Sequence, residues 1–238
     1  MLSIRAGIEN MLSVFTDDVK PIWNVPEEII VALDQMLNIK SDILPSRDVI
    51  SGFFTPDYKS IQLGSILAAD QYKNNAFVMY THELLTAIKV FTDHMGFTKV
   101  HELCCGTGIF SHWMVKYGIP VGSSVDNKTW EMFKHHDLYL PNVTDMDAVK
   151  FVQENQDAES FILSWPYMDS TAADIWKSMR KGQYLLYIGE IGGCTADDEF
   201  FNLVRDSEIE DNIYVKEMQR SFVQFTGVHD LPFLYRKG

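Results

Sequence analysis

The sequence lacks most of what marks a secreted, membrane-spanning or nucleic-acid-coating chain. Three cysteines in 238 residues, the neighbours Cys104 and Cys105 and the distant Cys194, form no CxxC pair and have no histidine at ligand spacing. Neither a disulfide framework nor a zinc site is indicated, and no metal is expected. No apolar run approaches the ~18 residues of a membrane span. Glu9, Asp17 and Asp18 stand where a secretory signal would need an apolar stretch. The expectation is a reducing, cytoplasmic setting without a membrane partner. Basic residues are also scarce: 20 Lys and Arg against 33 Asp and Glu give a net charge of −13. Phosphate backbones are bound mainly by Lys and Arg, so a general nucleic-acid binder is disfavoured unless basic side chains collect on one face. The nearest sets, Lys177, Arg180 and Lys181, and Lys128, Lys134, His135 and His136, read as solvated helix faces. Internal repeats, Gly/Ser linkers and low-complexity tracts are absent.

What is present is an ordinary core-forming composition, 46% hydrophobic and 22% charged. The hydrophobic period changes near residue 96. Before it, Pro26–Leu37 and the stretch from Ile61 to His94 space their apolar residues helically, around a loop-rich piece carrying Pro45, Gly52, Pro56 and Gly64. The helical pattern predicts a mainly helical N-terminal region over 1–95. After Gly96, short apolar runs alternate with helical ones: Val100–Cys104, Ile109–Tyr117, Ile119–Val125, Ala148–Val152, Phe161–Trp165, Ala172–Met179 and Tyr184–Ile188. This βαβα alternation predicts an α/β domain over 96–238, with a mostly parallel sheet and helices on both faces. Met218–Phe225 and Leu231–Arg236 read as two strands joined at Gly227, an antiparallel C-terminal hairpin closing the sheet edge.

The most specific signal is Val100-His-Glu-Leu-Cys-Cys-Gly106-Thr-Gly108-Ile-Phe-Ser111, an apolar strand entering a glycine turn and then a helix. Glycines there let backbone approach a ligand closely. Eighteen residues after Gly108 comes Asp126, at the tip of the next apolar run, where an acid would grip a ribose diol. A purely structural reading is a tight turn plus an N-cap by Asp126 for a helix beginning near Thr129. Ser111 occupies the place of a third glycine, behind bulky Ile109 and Phe110, which disfavours a dinucleotide pyrophosphate and hence an NAD-dependent oxidoreductase.

The pattern Glu102-x-x-x-Gly106-x-Gly108 resembles motif I of the S-adenosylmethionine-dependent methyltransferases. The resemblance covers roughly the middle 90 residues. It implies a Rossmann-like fold, S-adenosylmethionine as cofactor, and a turn of Glu102, Cys104, Gly106 and Gly108 accommodating the methionine part, with Asp126 as the ribose-binding acid. Val143-Thr-Asp145-Met-Asp147-Ala148 looks like the segment whose acid contacts the adenine amino group, with Asp147 the first choice and Asp145 the second; helix capping is the alternative. Phe77-Val-Met-Tyr80-Thr81 resembles a segment that covers the cofactor in some nucleic-acid methyltransferases, although an aromatic stripe at that spacing also suits a core.

Phe161-Ile-Leu-Ser164-Trp165-Pro166-Tyr167 ends a strand at the carboxyl edge and resembles the Asp/Asn/Ser-Pro-Pro-Tyr motif of amino-methylating enzymes, with Trp165 replacing the first proline. The alternative is a buried strand end followed by a proline turn. The resemblance implies that Ser164, the Trp165-Pro166 backbone and Tyr167 position a nitrogen or oxygen nucleophile for in-line attack. Glu190, at the end of the next strand, is a candidate acceptor or base, with Thr195 expected to cap the helix after it. The stretch from Leu103 to Asn127 also looks like the opening of the cytosine carbon-5 methyltransferases. Their nucleophilic cysteine is matched here by Tyr167, whose phenol cannot replace a thiolate. The methyl acceptor is open among small molecule, protein and nucleic acid, a protein partner is conceivable, and a methyltransferase-like binding module without catalysis is the alternative function.

Overall fold

The computed structural model describes Glu28, Val31, Ala32, Gln35 and residues 40–51, 80–129, 139–209, 211–223 and 229–238. Within them a six-stranded sheet is built from β1 (Val100–Leu103), β2 (Val121–Asp126), β3 (Val143–Asp145), β4 (Ser160–Ser164), β5 (Tyr184–Gly189) and β6 (Leu231–Arg236). The strand order is β3-β2-β1-β4-β5-β6, parallel throughout except for β6, which runs antiparallel to β5. The helices are α1 (Arg47–Ser51), α2 (His82–Met95), α3 (Ile109–Lys116), α4 (Ala148–Glu154), α5 (Thr171–Ser178), α6 (Asp198–Val204) and α7 (Ile213–Ser221).

Strand alternation sorts the core into two layers. Val100, Ile162, Leu186, Ile188 and Leu234 face α2, α3 and α7, whereas Leu103, Phe161, Leu163, Leu185, Tyr187 and Tyr235 face α4, α5 and α6. Because both faces are covered, the strands carry apolar residues at successive positions rather than at every second one, as the short apolar runs in the sequence implied. Ala32, Leu44, Ile50 and Tyr80 pack into the first of these layers, so residues on both sides of position 96 share one core. Helix α2 starts where the Thr81 hydroxyl accepts from Leu84 N and stops at left-handed Gly96 (φ 67).

The C-terminal segment departs from expectation. Leu231–Arg236 is the antiparallel edge strand, but its partner is β5, and Met218–Ser221 of the expected partner strand form the last turn of α7. Val215, Met218 and Phe222 recur at i, i+3 and i+7 and are buried with α2. Asn212 caps the helix, its side chain accepting from Tyr214 N and Val215 N. The helix after β5 is capped not by Thr195 but by Asp197, whose carboxylate accepts from Phe200 N. Residues 61–79 of the expected long helix, the helix expected near Thr129, and Gly227 lie outside the described residues or run into them. Among the described residues no helix is long and apolar enough to cross a membrane.

Candidate functional site

Chain order reverses between β1 and β4: β2 and β3 lie on one side of β1, and β4 and β5 on the other. In open α/β sheets the crevice at the carboxyl ends of strands at such a reversal is where ligands bind. Here it is flanked by the turn from Cys104 to Gly108 after β1 and by Trp165 to Tyr167 after β4. Among the described residues, those other than glycine with left-handed backbone are Cys104 (φ 51), Lys128 (φ 53), Trp165 (φ 52) and Ala196 (φ 54). They follow β1, β2, β4 and β5, so strained backbone gathers along one edge of the sheet, as it does at functional sites.

On the β1–β2 side the glycine turn and the acid are in direct contact. Asp126 Oδ2 accepts from Gly106 N at 2.9 Å, and Oδ1 accepts from Lys128 N at 2.8 Å. Burial pushes the Asp126 carboxyl up, the Lys128 and Gly106 amides and the Lys128 ammonium pull it down, and Asp145 raises it again. An ionised carboxylate has about four acceptor positions, so each oxygen retains capacity for a hydroxyl. Gly108 is left-handed (φ 82), and a Cβ there would fall 2.5 Å from Val143 Cγ2. The Leu140 amide donates to Thr107 O at 2.9 Å, so the segment entering β3 lies against this turn.

Glu102 is buried at the end of β1, facing α3, and accepts from the Ser111 hydroxyl, which in turn accepts from Ser124 Oγ at 2.5 Å. This chain explains the missing third glycine: the serine at that position ties α3 to β1 and β2. Burial pushes the Glu102 carboxyl up to about 8, against the pull of Ser111 and with a smaller push from Asp126. Cys104 and Cys105 are free thiols pushed far up by burial, which disfavours the thiolate at both. Tyr80 is buried, stacks on Phe110 at 5.1 Å between ring centroids, and has its phenol raised by burial and by Glu102 and Cys105. It sits beneath the turn as a core aromatic.

Asp147 caps α4, its Oδ1 accepting from Lys150 N at 2.9 Å, while Asp145 is exposed at the end of β3 beside Asp126. The capping role read from the sequence is therefore present. Tyr139, which the sequence reading missed, has its phenol pushed up to about 12 by burial and by Asp126 and Cys105, and lies under the Lys128 ammonium. Its only signal was an aromatic just before Val143-Thr-Asp145.

On the β4–β5 side, Ser164 ends β4 opposite Ile188, Trp165 N donates to Ile188 O at 2.8 Å, and Pro166 O accepts from Ala196 N at 3.3 Å. Tyr167, Met168 and Ile191 are exposed around these loops. Glu190 is partly buried, with Oε2 accepting from Cys194 N at 3.1 Å. A Cβ on Gly193 would lie 1.9 Å from that oxygen, so the loop folds closely over the carboxylate. Thr195 Oγ1 lies 2.6 Å from Tyr187 Oη, accepts from Glu190 N at 2.8 Å and donates to Glu190 O at 3.0 Å. Asp230, which nothing in the sequence spacing requires at the sheet edge, is buried just before β6, and its Oδ2 accepts from Trp165 Nε1 at 2.7 Å. Burial pushes Asp230 up to about 6, Trp165 opposes, Glu190 adds to the rise and His229 opposes. Among the described residues no group of three or more His, Cys, Asp or Glu is placed to hold a metal ion. Trp113 is fully buried core, and His135 and His136 lie outside the described residues.

No protein-family model matches the chain. No curated protein matches it either. Among solved structures it is similar to human N-acetylserotonin methyltransferase in complex with S-adenosylmethionine, at 12% identity and a TM-score of 0.40, covering 98% of this chain and 70% of that one. It is similar to a methyltransferase from Geobacter sulfurreducens, at 12% identity and a TM-score of 0.44, over 82% and 98% of the two chains. The Burkholderia thailandensis 1,6-didemethyltoxoflavin N1-methyltransferase, with bound 1,6-didemethyltoxoflavin and S-adenosylhomocysteine, gives 12% and 0.41 over 74% and 87%. At these values the likeness carries neither substrate nor residue role to this chain.

Proposed function

We propose that this chain is an S-adenosylmethionine-dependent methyltransferase that transfers a methyl group to a nitrogen or oxygen nucleophile. The observation that carries the reading is the contact between Asp126 at the tip of β2 and Gly106 in the turn after β1. Sequence motif, strand-turn-helix context and an acceptor for a ribose diol converge at the reversal of strand order. The donor set suits the cofactor: a carboxylate with spare acceptor capacity meets the diol, and Asp126, Asp145 and Asp147 make the edge acidic for a sulfonium cation. The bound cofactor supplies an electrophilic methyl group. The Gly106–Gly108 turn admits its amino-acid part, and Asp147, or Asp145 as second choice, contacts the adenine end. Across the crevice Ser164, the Trp165-Pro166 backbone and exposed Tyr167 orient the nucleophile. In-line geometry supplies much of the rate in such a transfer. Glu190, with one oxygen engaged by Cys194 N, accepts a hydrogen bond from the attacking group.

Calorimetric titration with S-adenosylmethionine and, separately, NAD tests this. Saturable binding of the former, weakened about tenfold or more in Asp126→Ala as for loss of a charged hydrogen bond, is the expected result. No binding by folded protein, or tight NAD binding, overturns it. Binding without turnover on amine, protein and nucleic-acid pools selects the non-catalytic alternative.

A further inference from the structure

Trp165 is the position at which the acceptor-side segment departs from the amino-methylating motif, and it is also strained. Its φ of 52 lies in the left-handed region, which a bulky residue occupies only when the surroundings enforce it. Three hydrogen bonds surround it: Trp165 N to Ile188 O at 2.8 Å, Ala196 N to Pro166 O at 3.3 Å, and Trp165 Nε1 to Asp230 Oδ2 at 2.7 Å. The first two tie backbone to β5 and its loop. The third is the one side-chain hold on the turn among these bonds, and it crosses from β4 to the start of β6, 65 residues away in sequence.

We infer that Asp230 is a positioning residue, which through Trp165 Nε1 fixes the Ser164–Tyr167 turn on the acceptor side of the crevice. A proline ring restricts its own φ and the conformation of the residue before it. Trp165 has no such ring, so its backbone must be held from outside, and a hydrogen bond from indole to carboxylate does so with a short, directional contact. Asp230 is 4% exposed and its carboxylate shares its surroundings with Glu190, so keeping it there is costly. Apolar packing would join β6 to the sheet without that cost. An acid at this place is explained by the hold it exerts on the indole. Calling the turn the acceptor side rests on the methyltransferase reading; the hold itself does not.

The test compares wild type with Asp230→Asn, Asp230→Leu and Trp165→Phe. The indole N–H of Trp165 is assigned by its loss from the ¹H–¹⁵N spectrum of the Phe variant. Hydrogen exchange is then followed at the indole, at the amides of Ser164, Trp165, Tyr167 and Met168 and along β6, with S-adenosylmethionine affinity measured by calorimetry. Asp230→Leu speeds exchange of the indole and turn amides about tenfold or more, and Asp230→Asn, which keeps an acceptor, stays within about threefold. Trp165→Phe, which removes the donor together with part of the ring packed against the core, speeds the turn amides at least as much and serves where the Leu variant does not fold. Cofactor affinity stays within about threefold in both Asp230 variants, because motif I lies across the crevice. Unchanged exchange of the turn in the Leu and Phe variants overturns the inference, as does acceleration of β6 amides equal to that of the turn, which makes Asp230 a strand anchor. Failure of wild type to bind S-adenosylmethionine overturns the methyltransferase reading instead, and leaves the exchange result to decide the hold on the turn.

Discussion

Asp126 and Gly106 are 20 residues apart in sequence and joined by a 2.9 Å hydrogen bond from the Gly106 amide to Asp126 Oδ2, while Asp126 Oδ1 takes the Lys128 amide. The acid that would hold a ribose therefore also holds the turn that would admit the rest of the cofactor. Asparagine has one acceptor and must present its NH₂ to one of the two amides. Asp126→Asn is thus expected to lose nearly as much S-adenosylmethionine affinity as Asp126→Ala, about tenfold or more in calorimetry. Wild-type affinity in the Asn variant would show that the double acceptance is dispensable.

Gly108 combines a left-handed backbone with a Cβ position 2.5 Å from Val143 Cγ2. Gly108→Ala adds backbone strain of about 1–3 kcal/mol, and the added methyl must push β3 away from the turn. Urea unfolding is expected to give an unfolding free energy lowered by at least that strain. A neutral result means that the turn relaxes, and with it the close contact between β3 and motif I.

Glu102 gives stability a pH dependence of defined sign. Its folded-state value of about 8 lies above the ordinary 4.5, so between these the folded protein binds more protons than the unfolded chain. Stability then falls as pH rises through that window and levels off above it. Glu102→Gln retains an acceptor for the Ser111 hydroxyl and removes the titration. Relative to wild type the Gln variant should gain stability from pH 5 to pH 8, by on the order of a few kcal/mol, measured by urea unfolding at each pH. A constant difference across that range sinks the assignment.

The strands of the parallel sheet were legible because runs such as Phe161–Leu163 and Leu185–Ile188 are apolar at successive positions, which only a sheet covered on both faces requires. Met218–Phe225 misled for the same reason: Met218, Phe222 and Val223 read as a strand once Val215 is left out. Val215 with the Asn212 cap marks a helix, and its apolar face is completed by α2, more than a hundred residues earlier. Within the candidate site, Gly106, Gly108 and Asp126 were legible because a glycine turn and an acid have fixed spacing in a βαβ unit. Asp230 was not, since its partner Trp165 is 65 residues away and an aspartate before a strand carries no local signature. Thr195 looked like a cap because Asp197 two residues on has the same chemistry; the tertiary position of Tyr187 decided between them.

Thr195 yields a last prediction about the loop over Glu190. Its buried hydroxyl lies 2.6 Å from Tyr187 Oη, takes the Glu190 amide at 2.8 Å and gives to the Glu190 carbonyl at 3.0 Å. Gly189 sits so close that a Cβ there would meet Thr195 Oγ1 at 2.6 Å, leaving no room for water to replace the hydroxyl. Thr195→Val keeps the shape but strands three groups, the Tyr187 hydroxyl and the Glu190 amide and carbonyl, so it should cost about 1–3 kcal/mol for each of them left unsatisfied. Thr195→Ser keeps the hydroxyl and loses only a methyl group, so its cost should stay near 1 kcal/mol. Urea unfolding of the two variants separates hydrogen bonding from packing. A Ser variant as unstable as the Val variant would place the stabilisation in the methyl contact, and the loop that positions Glu190 would then be held by packing alone.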